Sequence, residues 1–227
     1  MGQYFNPSIL KTNYKLANNP VKVALQAWDF RNGRKLMEHS WAGNSLVAAF
    51  IHLIGENSPY YGQPCVWAGD YADDFTSRKV TEKGHTIYNF ANDVIDKLPK
   101  INNSNNLSQM NKRFNKLFGK DIFYNDSYTN FKGDTIPCLG CLDSFDEYKY
   151  IVNLHTKEYI EIPESNYEDW IVVHPLPLLL AESNGRGGGD YHDITDALVG
   201  KWAYHPIGAT NEIPEGFTLL VTKFAEK

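Results

Sequence analysis

Tyr148-Lys149-Tyr150-Ile151-Val152-Asn153-Leu154, then His155-Thr156-Lys157, then Glu158-Tyr159-Ile160-Glu161-Ile162, is the stretch that decides the fold. Two β-branched and aromatic runs with a short polar break between them predict an antiparallel hairpin. Upstream the period changes. Ile87, Ala91, Val94, Ile95 and Leu98, then Leu107, Met110, Phe114, Leu117 and Phe118, fall at helical spacing and predict two amphipathic helices. These read as a helical hairpin followed by an irregular aromatic stretch over 123–145.

Nearer the N-terminus, Val21, Val23, Leu25 and Ala27 alternate as a half-buried strand does. Asn44 is placed to cap a helix carrying Leu46, Val47, Phe50, Ile51 and Ile54, with Gly55 at its stop. Cys65 to Tyr71 reads as a buried strand. Beyond the hairpin, Trp170 to Val173 predicts a short strand, and Pro175 and Pro177 restrict Leu178 to Glu182 to a short helix at most. Val199 to Tyr204 and Phe217 to Thr222 predict the closing strands. Strands at both ends with helices between give fold class α+β: a mainly antiparallel sheet, one domain over 1–227 and a helical insertion over 81–145. Tyr4 to Leu10 echoes Tyr150 to Leu154, and Val66-Trp67-Ala68-Gly69 echoes Lys201-Trp202-Ala203-Tyr204. The echo suggests two diverged half-repeats, 1–80 and 146–227, packed about a pseudo-twofold axis.

The 227 residues are 42% hydrophobic and 14% aromatic, ample for a buried core. A net charge of -5 without a basic block argues against nucleic acid as a partner. Lys112, Arg113, Lys116 and Lys120 read as a solvated helix face. With no apolar run of bilayer length and no signal-type N-terminus, a membrane is not expected and a cytoplasmic location is. The three cysteines make no disulfide framework. Cys138 and Cys141 form a lone Cys-x-x-Cys; zinc would need Cys65 and His155 or His174 as further ligands, and reduced thiols in a turn at Gly140 are the simpler reading. Neither metal nor other cofactor is expected.

Ser183-Asn184-Gly185-Arg186-Gly187-Gly188-Gly189-Asp190-Tyr191-His192-Asp193 threads charged residues through a run of glycines. Glycine is tolerated where backbone takes positive φ or comes close to another group, so this is a structural turn, a ligand-lining loop or a mobile segment. Its spacing matches neither the dinucleotide nor the P-loop pattern.

Met1-Gly2-Gln3-Tyr4, Lys35 to Ser40, Trp67 to Asp73, Tyr150 to Tyr159 and Asn184 to Asp190 together resemble a widespread family of bacterial and phage proteins that open with Met-Gly-Gln-Tyr. These motifs cover about a quarter of the chain. In shorter members they run consecutively, whereas here the helical insertion separates them. The resemblance implies kinship and no reaction. Its polar residues Glu38, His39, Asp70, Asp73, Asn184, Arg186, Asp190 and His192 are the candidate ligand-binding residues, and Arg186, Asp190 and the Asp70–Asp73 strand end are expected to meet.

Two function classes follow. One is a binding protein for a small molecule or a protein partner, which 14 Tyr and 5 Trp suit because these rings give large contact area with few rotors. The other is a small hydrolase in which a carboxylate-oriented His does acid-base work, with or without a metal. Against both stands a purely architectural use: Asp70 ending a strand, Asp190 capping a turn and His39 hydrogen-bonded in the core. No Gly-x-Ser-x-Gly or His-Glu-x-x-His motif supplies a nucleophile or metal signature.

Overall fold

A computed structural model of the chain describes residues 3–15, 17–72, 85–97, 107–129, 132–141, 148–164, 172–182, 191–193, 198–222 and 224–226. Its first half holds strands β1 (Phe5–Leu10) and β2 (Val21–Ala24), a 3-10 turn (Ala27–Phe30), helices α1 (Leu36–His39) and α2 (Ser45–Leu53), strand β3 (Gln63–Gly69), and helices α3 (Ile87–Asp96) and α4 (Leu107–Phe118). There follow β4 (Phe123–Thr129), β5 (Thr135–Cys141), β6 (Tyr150–Asn153), β7 (Glu158–Glu161), α5 (Pro175–Leu180), β8 (Ala181–Glu182), β9 (Tyr191–Asp193), β10 (Pro206–Thr210), β11 (Thr218–Leu219) and β12 (Phe224–Glu226). Eight strands from both chain ends form one mixed, mostly antiparallel sheet in the order β11-β7-β6-β10-β3-β1-β2, with β8 also on β3. The chain is α+β, as the segregation of strand and helix periods predicts.

β3 is the axis of this sheet. β1 pairs with it from Phe5 opposite Gly69 to Ile9 opposite Cys65. Along its other edge, β10 pairs at Gln63 and Pro64, while β8 runs parallel beside Trp67 and Ala68. β3 is therefore buried on both edges and both faces, which its near-continuous apolar sequence suits.

Alternation divides the core between those faces. Phe5, Ile9, Cys65 and Trp67 join α2, α4 and α5 in one cluster, whereas Leu10, Val66 and Ala68 meet Ile87, Phe90, Ala91 and Ile95 of α3. Burying each large side chain of α3 contributes about 1.5–3 kcal/mol, enough to fix its place on the sheet. The expected helical hairpin is thus corrected: α3 and α4 lie on opposite faces. Helical spacing reveals that a stripe is apolar but not what covers it.

Local signals fix several boundaries. The Asn44 side chain accepts from the backbone N–H of Leu46 and Val47 at 2.9 and 3.3 Å, closing orphan donors of α2. Thr86 and Asn89 form a reciprocal capping box on α3. Gly55 sits after α2 for a different reason from the one expected: its φ is not left-handed, but a Cβ there would lie 2.1 Å from the Tyr148 hydroxyl.

Other expectations are corrected. Val199–Tyr204 is a turn rather than a strand, since Gly200 and Tyr204 take φ of 75° and 70°, incompatible with an extended run; the strand comes next, as β10. The echoed pair therefore differs in conformation, Trp67 in a strand and Trp202 in a turn. The stretch from Phe123 is no irregular loop but the β4–β5 hairpin, in register from Phe123 opposite Cys141 to Thr129 opposite Thr135. Pairing there overrides the weak strand propensity of its Asn, Asp, Ser, Gly and Pro. The closing strand shrinks to Thr218–Leu219, and Val173 makes a single bridge to Trp41. Arg113 leaves the expected solvated face and pairs with Asp29 at 3.0 Å. No helix among the described residues is long and apolar enough to cross a membrane.

Candidate functional site

The C-terminal end of β3 gathers three of the segments singled out in the sequence, at Gln3–Tyr4, Lys35–Ser40 and Trp67–Asp70. His39, at the end of α1, is fully buried and accepts the Trp67 indole N–H on Nε2 at 2.9 Å. That bond fixes the tautomer: Nδ1 carries the proton and donates to the Gly33 carbonyl at 3.0 Å. Burial pulls His39 down to about 4, against smaller upward pulls from Gly33 and Glu38, so the ring is neutral. Glu38 turns back to accept the Lys35 N–H at 2.9 Å and packs on Gly33, where a Cβ would lie 2.0 Å from its Oε2. His39 holds the 33–39 segment against β3, and Glu38 braces that segment internally. Their described geometry is architectural.

Asp70 continues the ladder past Gly69. Its N–H donates to the Tyr4 carbonyl, and its Oδ1 accepts the Tyr4 N–H, each at 2.9 Å. Tyr4 in turn lies under Arg34, whose guanidinium carbon is 5.1 Å from the Tyr4 ring centroid and 5.8 Å from that of Tyr88. Such stacking suits the planar guanidinium. An Arg34 Nη2–H also donates to the Tyr88 hydroxyl oxygen. Tyr88 is brought here by α3, and so is Asn92, which accepts from the Asn6 side-chain N–H at 3.0 Å. Burial raises the Tyr88 hydroxyl above the usual range; Arg34 and a bond from Asn92 pull it down, while Asp70 and Tyr4 push it up.

Gly69 is required by close approach. A Cβ there would lie 2.3 Å from the Gln3 Nε2 and 2.5 Å from the Glu182 backbone carbonyl. Gln3 and Glu182 are both buried, at 1% and 5% exposure. Among the described residues, neither carboxamide atom of Gln3 has a hydrogen-bond partner, an arrangement that is rare and costly inside proteins. Glu182 is also the residue from which the chain enters Ser183-Asn184-Gly185-Arg186.

Of the candidate residues, His39 is bonded to Trp67 of β3, Glu38 precedes it in α1, and Asp70 follows β3 and pairs with Tyr4. Asp73, Asn184, Arg186 and Asp190 lie outside the described residues, and so does the expected meeting of Arg186 and Asp190 with the Asp70–Asp73 strand end. His192 is placed in β9, its backbone opposite Ala225 of β12. Arg34, Tyr88, Asn92 and Asn6 went unnoticed in the sequence. Arg34 directly precedes the Lys35-Leu36-Met37-Glu38 block, which was the one available signal; Tyr88 and Asn92 read as an ordinary helix face.

Elsewhere, Cys138 and Cys141 lie in β5, so Gly140 belongs to a strand and not to a tight turn. Cys65 is fully buried and its thiol is raised by burial. At the tip of the β6–β7 hairpin, Asn153 Oδ1 accepts from the N–H of His155 and Thr156, and its amide nitrogen meets His205 Nδ1 at 3.0 Å. Among the described residues no three His, Cys, Asp or Glu side chains are placed to hold a metal. Compared with protein-family models, curated proteins and solved structures, the chain matches none.

Proposed function

We propose that the chain is a small-molecule-binding protein whose site lies at the C-terminal end of β3. The observation that carries this reading is Arg34, a cation set against two tyrosine rings on a partly exposed surface, with the Asp70 carboxylate bonded to the backbone N–H of one of them, Tyr4. Stacking a guanidinium in advance lowers the ordering cost of a bidentate contact. The surrounding Asn6, Asn92 and Tyr88 add polar groups fixed by one another rather than by solvent. A convergent set of polar groups on rigid elements is the usual build of a ligand site. The hydrolase reading draws less support, because His39 is neutral with both ring nitrogens engaged.

The test is ligand retention. Protein purified under mild conditions is heated, and the released molecules are identified by mass spectrometry. The wild type should release a defined molecule, chemically unchanged and near stoichiometric. Arg34→Gln, checked for folding by circular dichroism, should release far less. Equal retention by the variant, turnover of the molecule, or a retained protein partner in its place would each contradict the reading.

A further inference from the structure

We propose that the ligand is a small zwitterion of amino-acid type, its carboxylate taken by Arg34 and the Tyr88 hydroxyl and its ammonium group by Asp70. This rests on the reading of the β3 end as a binding site.

Charge placement comes first. Arg34 stacks on the Tyr4 ring while Asp70 accepts the Tyr4 N–H, so both charges lie at Tyr4. Yet among the described residues they form no ion pair with each other, because Arg34 is spent on the faces of Tyr4 and Tyr88 and Asp70 on the Tyr4 N–H. Opposite charges that flank one tyrosine without closing present a fixed dipole. A simple anion would be repelled by Asp70, and a simple cation by Arg34; a molecule carrying both charges meets each with its complement.

Hydrogen-bond direction comes second. The Tyr88 oxygen receives an N–H from Arg34. With its oxygen accepting there, Tyr88 has its own O–H left to give. A guanidinium and a hydroxyl donating side by side suit a carboxylate, which only accepts.

Third, Arg34 has a donor to spare: its Nε–H makes no hydrogen bond among the described residues.

The test is calorimetric titration with each of the twenty free L-amino acids, followed by the N-acetyl and methyl-ester derivatives of the tightest. At least one free amino acid should bind, and masking either charge should weaken it roughly 10- to 100-fold, the scale of a lost charged hydrogen bond. Asp70→Asn should reduce discrimination against the N-acetyl form, and Tyr88→Phe, which keeps the ring packing, should reduce discrimination against the ester. Failure of every free amino acid to bind, or equal binding of the N-acetyl form, overturns the zwitterion. If heat release yields a molecule lacking the paired charges that Arg34→Gln no longer retains, the site stands and the zwitterion falls. If Arg34→Gln retains whatever the wild type retains, both fall.

Discussion

Replacing His39 by Ala tests how β3 is held. The ring is fully buried and bridges the Trp67 indole N–H to the Gly33 carbonyl. Without it, two desolvated groups are stranded at about 1–3 kcal/mol each, and a cavity is left under β3. Together these predict a loss of roughly 3–6 kcal/mol at pH 7.5, a large share of the 5–15 kcal/mol typical of a folded domain. The loss should also depend on pH with a definite sign. His39 sits at about 4 in the fold against an ordinary 6.5, so its neutral form favours folding fully above about pH 6.5. That contribution falls away as pH drops toward 4, by roughly 3 kcal/mol in all. Urea unfolding of wild type and His39→Ala at pH 7.5 and pH 4.5 should show the gap between them shrinking by roughly 2–3 kcal/mol at the lower pH. A gap below about 1 kcal/mol at pH 7.5, or one that does not narrow on acidification, would refute the bridging role.

Gly69→Ala should cost roughly 2–4 kcal/mol in chemical denaturation, because the new methyl meets the backbone carbonyl of Glu182 as well as the Gln3 amide; an unchanged midpoint would mean that β8 is not seated on β3. Burial lifts Asp29 to about 6 although Arg113 pulls it down, so the fold holds that proton more tightly than the unfolded chain does. Its contribution favours folding at low pH and is lost as pH rises from about 4 to 6. Asp29→Asn should therefore gain on the wild type by roughly 2–3 kcal/mol between pH 4 and 7, and a movement in the opposite direction would show that the Arg113 attraction dominates. Asn153→Ala should destabilise the β6–β7 hairpin by roughly 2–4 kcal/mol, since a fully buried side chain with three hydrogen-bond partners is removed; amide exchange at His155 and Thr156 should accelerate first.

Much of the fold was legible in the sequence because it depends on local period. The β6–β7 hairpin, α2 with its Asn44 cap, β3 and the apolar stripes of α3 and α4 are all set by residues within about a dozen positions of one another. What was not legible depends on partners far along the chain. Nothing in Val199–Tyr204 shows that two of its residues take left-handed φ to pass the chain from α5 back to β3. Nothing in α4 shows that Arg113 turns inward to a carboxylate 84 positions away. At the candidate site the chemistry-bearing residue types were visible while their roles were not: His39 stood out because it is ionisable, and the structure uses it as a neutral bridge. Arg34 and Tyr88 stood out little, and they meet only because the sheet brings β1 and the 33–39 segment beneath α3.

The most direct measurement of the central claim is a backbone-assigned NMR titration of the labelled protein with the molecule released on heating, or with the free amino acid that binds most tightly. The account predicts that the largest shifts cluster at Tyr4, Arg34, Asp70, Tyr88 and Asn92, including the Arg34 Nε–H resonance. Shifts centred instead on the β6–β7 hairpin tip or on α4, with Arg34 and Asp70 unmoved, would contradict it.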